Sequence, residues 1–277
     1  MTRLHPHHLR SKLANGGFVK LMSLRQLRTL DAVFILKEAG FDGFYIDAEH
    51  GVFSLREIAD LCMGAQACGL AALVRIHSVE VGTICTVLDC GAAGLIVPHV
   101  SRPQDMQRAL QLAKYPPLGQ RSMAAIGPAS SYRRVPIAAA AQERNEDVFM
   151  IAMLETAQGV EQAQAIAATE GVDALMMGPM DLSLELGLPG QVRHERICEA
   201  YTKAAAAARQ HGKHFVAGGA GGPPMAQMVA AGARLLMGSN DTTYLLEALD
   251  KAARAMQDAS RPEAAEPVSP PNQESLT

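Results

Sequence analysis

The segment that decides the fold is Tyr45-Ile46-Asp47-Ala48-Glu49-His50, where a short apolar run ends in three side chains that can bind metal or move protons. Acidic residues repeat this pattern downstream, because Glu155 follows the apolar run 148–154 and Asp181 follows the run 174–180. Acids therefore recur at the carboxyl ends of different predicted strands. A parallel α/β barrel assembles its active site there, so the pattern predicts a (β/α)8 TIM barrel.

Short β-like runs alternate with longer helical patterns along the whole chain, as expected for parallel strands joined by crossover helices. The predicted strands are 17–21, 43–47, 72–75, 94–98, 149–155, 174–178, 214–217 and 234–238. Ser54 and Glu57 have the spacing of a capping box at the start of one helix, and Gly69 is placed to end it. Eight strands in this order favour a closed barrel.

Composition limits the classes of function. The 277 residues are 48% hydrophobic, enough for one large core, and we predict a single barrel domain over residues 1–257. A formal net charge of -3 gives no overall attraction to nucleic acid or to an anionic membrane. No apolar run reaches the roughly 20 residues of a membrane span. We expect a cytoplasmic protein that acts on small molecules.

Four other stretches have simpler interpretations. Residues 115–147 interrupt the alternation and are predicted to form a functional loop or lid. The Pro-rich residues 258–277 lack large apolar side chains and are predicted to be disordered. The five cysteines have no Cys-x-x-Cys pair and are predicted to be reduced core thiols. The glycine-rich residues 218–222 lack the register of a nucleotide-binding loop.

The acidic residues and a histidine provide the candidate chemistry. Glu155 and Asp181 are hard oxygen donors that suit Mg²⁺ or Mn²⁺, although acids also occur wherever strands meet solvent. Asp47 and His50 stand three residues apart after a strand, which allows the carboxylate to orient the imidazole as a general base. The alternative is a solvent-facing or capping histidine.

An arginine at the end of a strand provides a possible anion site. Arg75 ends the run 71–75, and its planar guanidinium can bind a carboxylate or a developing oxyanion. The alternative is a structural ion pair with one of the acids, and both roles can coexist. His99, which follows another strand, is a weaker candidate for the same end of the barrel.

Seven ordered motifs resemble the HpcH/HpaI family of metal-dependent 2-oxo acid aldolases. They are FDGFYIDAEH (41–50), LVR (73–75), YPPLGQR (115–121), LET (154–156), EGVD (170–173), GPMDLS (178–183) and GSNDTT (238–243). The resemblance implies a (β/α)8 barrel, usually hexameric, that reversibly cleaves a 4-hydroxy-2-oxo acid. The products are pyruvate, or a related 2-oxo acid, and an aldehyde.

The resemblance also implies roles for the candidate residues. It implies that Glu155 and Asp181 hold a divalent ion, Mg²⁺, Mn²⁺ or Co²⁺, and that no Schiff-base lysine takes part. The further implied roles are those of His50 as the base, Asp47 as its orienting group, Arg75 as the ligand of the 2-oxo acid and its enolate, and Glu49 as the residue that orders water at the ion.

Substrate contacts show departures from the family pattern. The implied pocket includes Gly178, Met153 and Met180, but many members carry glutamine and a small residue where this chain has the two methionines. We expect a narrower and less polar pocket, with both methionines in the core as the alternative. The rival functions are another metal-enolate reaction, such as oxaloacetate decarboxylation or an enolate-initiated cyclisation, and a barrel that binds a small acid without turnover.

Overall fold

A computed structural model describes residues 9–219 and 221–260 of the protein. Eight parallel strands pair in chain order, and β8 pairs with β1 to close a barrel. The strands are β1 (Val19–Leu24), β2 (Gly43–Asp47), β3 (Ala71–Arg75), β4 (Gly94–Val97), β5 (Phe149–Leu154), β6 (Ala174–Met177), β7 (His214–Gly218) and β8 (Leu235–Asn240). The predicted (β/α)8 TIM barrel is confirmed.

Helices follow the strands in the order that crossover connections require. The α-helices are α1 (Leu9–Ala14), α2 (Leu30–Glu38), α3 (Leu55–Cys68), α4 (Val81–Asp89), α5 (Pro103–Ala113), α6 (Ile137–Asp147), α7 (Ala157–Glu161), α8 (Ala163–Ala167), α9 (Pro179–Glu185), α10 (Glu195–Gln210), α11 (Met225–Ala230) and α12 (Asp241–Ala259). The predicted capping box at Ser54 and Glu57 is present, and Gly69 ends α3 in the left-handed conformation.

Apolar side chains form two clusters, one on each face of the sheet. The larger cluster lies between strands and helices. The smaller one fills the barrel with side chains such as Leu21, Leu73 and Ile151, and α1 adds Leu9 and Leu13 to it. Strands that are buried on both faces need continuous apolar runs, which explains why most strands could be read from the sequence.

Several predictions made from the sequence differ from the structure. Strand β1 begins at Val19 and continues to Leu24, whereas the prediction ended it at residue 21. The predicted lid, 115–147, contains a short 3-10 helix at Pro128–Ser130 and the whole of α6. The cysteines are all free, as predicted. Cys62 is buried in the core and Cys68 and Cys90 pack against it, whereas the prediction of core thiols is wrong for Cys85 and Cys198.

The chain divides after Asp241 into two compact units, Met1–Asp241 and Thr242–Thr277. The first contains the barrel, and the described part of the second is the remainder of α12. The prediction of disorder at 258–277 falls mostly on residues outside the described ones, while α12 includes residues 258 and 259. None of the helices in the described residues combines the length and the apolar composition needed to cross a membrane.

Candidate active site

A cavity of about 290 Å³ opens at the carboxyl ends of the barrel strands. Its walls include seven of the residues singled out in the sequence, namely His50, Arg75, Met153, Glu155, Gly178, Met180 and Asp181. Asp47 and Glu49 lie behind this surface and contact the residues that line it. No residue of the predicted lid, 115–147, is among the described residues that line the cavity. The carboxyl ends of the strands therefore bring the candidate chemistry together.

Asp47 and Arg75 form a buried ion pair across adjacent strands. They are register partners at the ends of β2 and β3. The Arg75 Nε donates to Asp47 Oδ1 at 3.0 Å, and Nη2 donates to Oδ2 at 2.6 Å. Burial opposes ionisation of Asp47, but these hydrogen bonds outweigh it and lower the pKa of the carboxyl group. Asp47 is therefore a permanent anion that fixes the Arg75 side chain.

Arg75 has further contacts within the site. Its Nη1 lies 3.1 Å from Glu49 Oε2 and 3.8 Å from the Met153 sulfur. Burial opposes the charged guanidinium, yet the carboxylates of Asp47 and Glu49 raise its pKa, so it remains a cation. The predicted structural ion pair is present, and the same side chain lines the cavity.

His50 makes a different contact with Asp47 from the one predicted. Its backbone N–H, rather than its imidazole, donates to Asp47 Oδ1 at 3.1 Å. The imidazole is half-exposed and lies nearer to Glu49, with 3.9 Å between Nε2 and Oε2. Asp47 is unavailable to the ring because its two oxygens already accept hydrogen bonds from Arg75, from the His50 amide and from Arg25.

Glu155 is buried where β5 ends. Its Oε1 accepts the backbone N–H of His99 at 2.9 Å, and His99 adopts a left-handed backbone conformation to present it. Burial raises the pKa of Glu155 to about 7, although the His99 contacts act in the opposite direction. A Cβ at Gly178 would lie 2.4 Å from Glu155 Oε2, so only glycine leaves room for this carboxylate.

The donor set fits a divalent ion. Asp181 lies in the first turn of α9 and lines the cavity with Glu155. Neither carboxylate pairs with a lysine or arginine within the described residues. A buried carboxylate without a cationic side chain is costly to ionise, and a bound cation would remove that cost. No three His, Cys, Asp or Glu side chains of the described chain are grouped to hold a metal, so substrate and water would supply the other ligands.

Comparison with known proteins identifies the family of this barrel. Residues 27–238 match the pattern of the HpcH/HpaI aldolase/citrate lyase family. The chain belongs to this family. The structure of an HpcH/HpaI aldolase from Desulfitobacterium hafniense superimposes with a TM-score of 0.85 at 35% identity, covering 92% of this chain and 98% of that one. The predicted family is confirmed.

Two similar relatives of this HpcH/HpaI protein carry more specific names. The 4-hydroxy-4-methyl-2-oxoglutarate aldolase tasA of Hapsidospora irregularis is 35% identical, over 74% of this chain and 77% of that enzyme. The 5-keto-4-deoxy-D-glucarate aldolase of Citrobacter koseri is 32% identical, over 65% of this chain and 69% of that enzyme. These named aldolases support the prediction of a carbon–carbon lyase.

Several residues that line the cavity of this HpcH/HpaI barrel were not predicted as site residues. Ser23 and Tyr45 are register partners on β1 and β2, and Arg25 follows β1 directly. Period-two alternation back from Asp47 could have placed Tyr45 inside the barrel. No such signal was available for Ser23 and Arg25, because β1 was predicted to end too early. The glycine run was correctly rejected as a nucleotide site, but Gly218 and Gly219 line the cavity.

The two methionines occupy different positions in this HpcH/HpaI site. Met153 is buried in the barrel interior and also lines the cavity. Met180 is half-exposed, so the alternative that both point into the core is wrong for Met180. Met176 and Met237 also belong to the buried barrel cluster and line the same cavity. The cavity is therefore bounded on its barrel side mainly by methionine side chains.

Proposed function

We propose that this protein is a divalent-metal-dependent aldolase that reversibly cleaves a 4-hydroxy-2-oxo acid to pyruvate, or a related 2-oxo acid, and an aldehyde. The observation that carries the proposal is the meeting, in one cavity, of a buried guanidinium and two carboxylates that pair with no lysine or arginine of the described residues. Such a site attracts a cation on one side and stabilises an anion on the other. The names of the relatives support the same class of reaction.

Glu155 and Asp181 would hold the ion, with Mg²⁺, Mn²⁺ and Co²⁺ as candidates. When bound there, it would polarise the 2-oxo group as a Lewis acid. Gly178 has no side chain and therefore leaves room for the Glu155 carboxylate. His99 contributes by donating its amide to the Glu155 oxygen that faces it. The backbone around β4 and β6 thus fixes one carboxylate in position.

Arg75 provides positive charge at the enolate. Cleavage breaks the bond between C3 and C4, and the electron pair of that bond passes into an enolate over C3, C2 and the 2-oxo oxygen. A cation held in place before reaction stabilises the charge without reorganisation. Two hydrogen bonds from Arg75 to Asp47, with Glu49 on the third nitrogen, keep the guanidinium in place.

His50 would act as the base. Its imidazole lines the cavity and accepts the proton of the 4-hydroxyl group as the C4 carbonyl forms, and transfer of this proton to C3 of the enolate then gives the 2-oxo acid. Condensation returns that proton. Glu49, rather than Asp47, is the carboxylate nearest to the ring and would orient it. Asp47 acts at a distance, through the His50 amide and through Arg75.

A retro-aldol screen tests the proposal. Purified protein is treated with chelator, and each metal is added back before incubation with 4-hydroxy-2-oxo acids of varied chain end. We expect metal-dependent release of pyruvate, which Glu155→Gln and Asp181→Asn abolish and the exposed control Glu161→Gln leaves unchanged. Cleavage of oxaloacetate alone would favour the decarboxylase alternative. Binding of 2-oxo acids without any turnover would favour the binding-protein alternative.

A hexamer and a cytoplasmic location belong to the same proposal. The family resemblance implies the hexamer, and α2 exposes Leu30, Phe34 and Ile35. Apolar side chains grouped on a surface are typical of contacts between subunits. Sedimentation of the purified protein would measure its mass directly, and a monomer would contradict the hexamer.

A further inference from the structure

Asp241 holds the loop that follows β1. Its carboxylate accepts the backbone N–H groups of Arg25, Gln26 and Leu27, at donor–acceptor distances from 2.7 to 3.1 Å. Asp241 directly follows β8, begins α12 and is only 4% exposed. Hydrogen bonds to a charged acceptor are stronger than those between neutral groups, and here three consecutive amides share one buried carboxylate. The loop between β1 and α2 is therefore anchored to the end of β8.

The anchored loop carries a side chain of the site. Arg25 lines the cavity, and its Nε donates to Asp47 Oδ2 at 2.9 Å. The same oxygen accepts Arg75 Nη2 at 2.6 Å, so it lies between two guanidinium groups. The Asp47 side chain is fully buried, whereas 38% of the Arg25 side chain is exposed. A long, partly exposed side chain loses conformational freedom when it holds a buried contact, and a fixed backbone reduces that loss.

These contacts connect Asp241 to the group that we propose to stabilise the enolate. The Asp241 carboxylate fixes the Arg25 backbone, and the Arg25 side chain bonds to Asp47. Asp47 in turn holds Arg75 by two hydrogen bonds. Without the Arg25 contact, Asp47 Oδ2 would keep one cationic donor instead of two, and the Arg75 guanidinium would gain freedom to move with it. Stabilisation of an enolate depends on charge that is held in place before reaction, so this freedom would weaken it.

We propose that Asp241 is a positioning residue for the enolate step: by fixing the loop after β1, it keeps Arg25 on Asp47 and Arg75 in place. The inference rests on the proposed aldolase function, whose enolate it concerns. The proposed mechanism gives no other role to the motif GSNDTT (238–243), in which Asp241 lies. Asp241 is not among the described residues that line the cavity, so it would act through Arg25 rather than on the substrate.

A binding measurement tests the inference without turnover. In the presence of Mg²⁺, calorimetry compares pyruvate with oxalate, a planar dianion similar in shape to the pyruvate enolate. Asp241→Asn keeps the volume of the side chain but replaces one carboxylate oxygen by an NH₂ donor. We expect this variant to weaken oxalate binding roughly 10-fold and pyruvate binding no more than roughly twofold. Asp241→Ala, which accepts none of the three amides, should weaken oxalate binding further.

A double-mutant cycle tests whether Asp241 acts through Arg25. Arg25→Gln keeps the backbone amide of residue 25 and removes only the guanidinium. We expect the double variant Arg25→Gln/Asp241→Asn to bind oxalate no more weakly than Arg25→Gln alone. If the two losses multiply, Asp241 acts by another route and the inference is overturned. Equal weakening of oxalate and pyruvate by Asp241→Asn would also overturn it, because a merely structural residue has that effect.

The control variant is Asp173→Asn. Asp173 also accepts a backbone amide, that of Met150 at 2.7 Å, and it pairs with Arg10, but it lies before β6 at the opposite end of the barrel from the cavity. We expect Asp173→Asn to lower the Tm and to leave the ratio of oxalate to pyruvate affinity at the wild-type value. Asp241→Asn should change that ratio even at temperatures well below its Tm.

Turnover separates this inference from the proposed function. With a 4-hydroxy-2-oxo acid as substrate, Asp241→Asn should lower kcat more than it changes KM. If the wild type cleaves no such acid while oxalate affinity depends on Asp241 and Arg25 as one unit, the aldolase function fails and the positioning of Arg75 stands. If the wild type cleaves the acid, and Asp241→Asn changes neither kcat nor the affinity ratio, the function stands and the positioning role fails.

Discussion

Gly178 and Glu155 approach so closely that a single methyl group at position 178 would lie 2.4 Å from Glu155 Oε2. The Gly178 φ angle of -105° is open to any residue, so the requirement for glycine is one of space and not of backbone conformation. The glycine that follows β6 thus leaves room for the carboxylate of Glu155, which follows β5.

Gly178→Ala should therefore remove activity while the barrel stays folded. The methyl group displaces the Glu155 carboxylate, and metal affinity falls by at least tenfold in a titration with Mn²⁺. The control is Gly82→Ala in α4, where a Cβ would meet no atom within 4 Å and alanine favours the helix. Unchanged Mn²⁺ affinity in Gly178→Ala would show that Glu155 is not a ligand.

Glu155→Gln should stabilise the metal-free protein at pH 8. Burial raises the pKa of this carboxyl from 4.5 to about 7, so ionisation costs the folded state free energy that the unfolded chain does not lose. The cost is absent below pH 4.5, grows as the pH rises to 7 and is constant above it. We expect a gain on the order of 1–3 kcal/mol at pH 8.

Thermal unfolding in chelator checks this prediction. The difference in Tm between Glu155→Gln and wild type should shrink towards zero at pH 5, where Glu155 is protonated in the folded protein. Added Mg²⁺ should raise the Tm of the wild type but not that of the variant. A variant that is less stable than wild type at pH 8 would contradict the electrostatic account.

Substitution of His50 should mainly reduce activity and substitution of Asp47 should also reduce stability, because Asp47 is buried and His50 is half-exposed. His50→Ala should lower kcat by roughly 10²–10⁴-fold, the range for a lost acid–base group, with little change in Tm. Asp47→Asn leaves Arg75 buried without its principal partner and should cost up to roughly 3–5 kcal/mol of stability.

Denaturant unfolding and steady-state kinetics on the same samples test that separation. Asp60→Asn is the control for Asp47→Asn, because it breaks an ion pair with Arg56 on the surface of α3, where such pairs contribute little. If His50→Ala kept the wild-type kcat, His50 would be a structural residue and the base would have to be sought elsewhere in the cavity.

The contact between Asp47 and His50 also shows what spacing can and cannot predict. Three residues of separation allow the carboxylate to reach either the imidazole or the backbone amide. Which of the two groups bonds to Asp47 depends on Arg75, which lies on the neighbouring strand and donates a hydrogen bond to each carboxylate oxygen. The sequence could identify both residues as parts of one site, because strand ends meet at one face of a barrel, but not which atoms would bond.

Ser23 and Arg25, which line the cavity at the end of β1, were not predicted as site residues for a different reason. The predicted strand 17–21 stopped at an apolar run, whereas the real strand continues through Met22, Ser23 and Leu24. Because the predicted strand ended three residues too early, Arg25 fell in a predicted loop, and nothing in the sequence then placed it at the cavity. The ends of β2 and β3 were predicted correctly, and the end of β5 within one residue, because apolar residues continue up to the charged one. A serine inside the barrel broke that signal in β1.

Met153→Gln should lower the KM for pyruvate in the condensation direction. The Met153 sulfur lies 3.8 Å from Arg75 Nη1, and a thioether is a weak acceptor that cannot donate a hydrogen bond. A glutamine amide at the same place could donate to the 2-oxo acid, and one such bond contributes about 0.5–1.5 kcal/mol, or roughly 2- to 12-fold in KM. Met153→Leu, which keeps the volume but offers no polar atom, is the control and should leave KM near the wild-type value. An unchanged KM together with a lower Tm in Met153→Gln would mean that Met153 serves only to fill the barrel, and selection among 2-oxo acids would then fall to the half-exposed Met180 at the mouth.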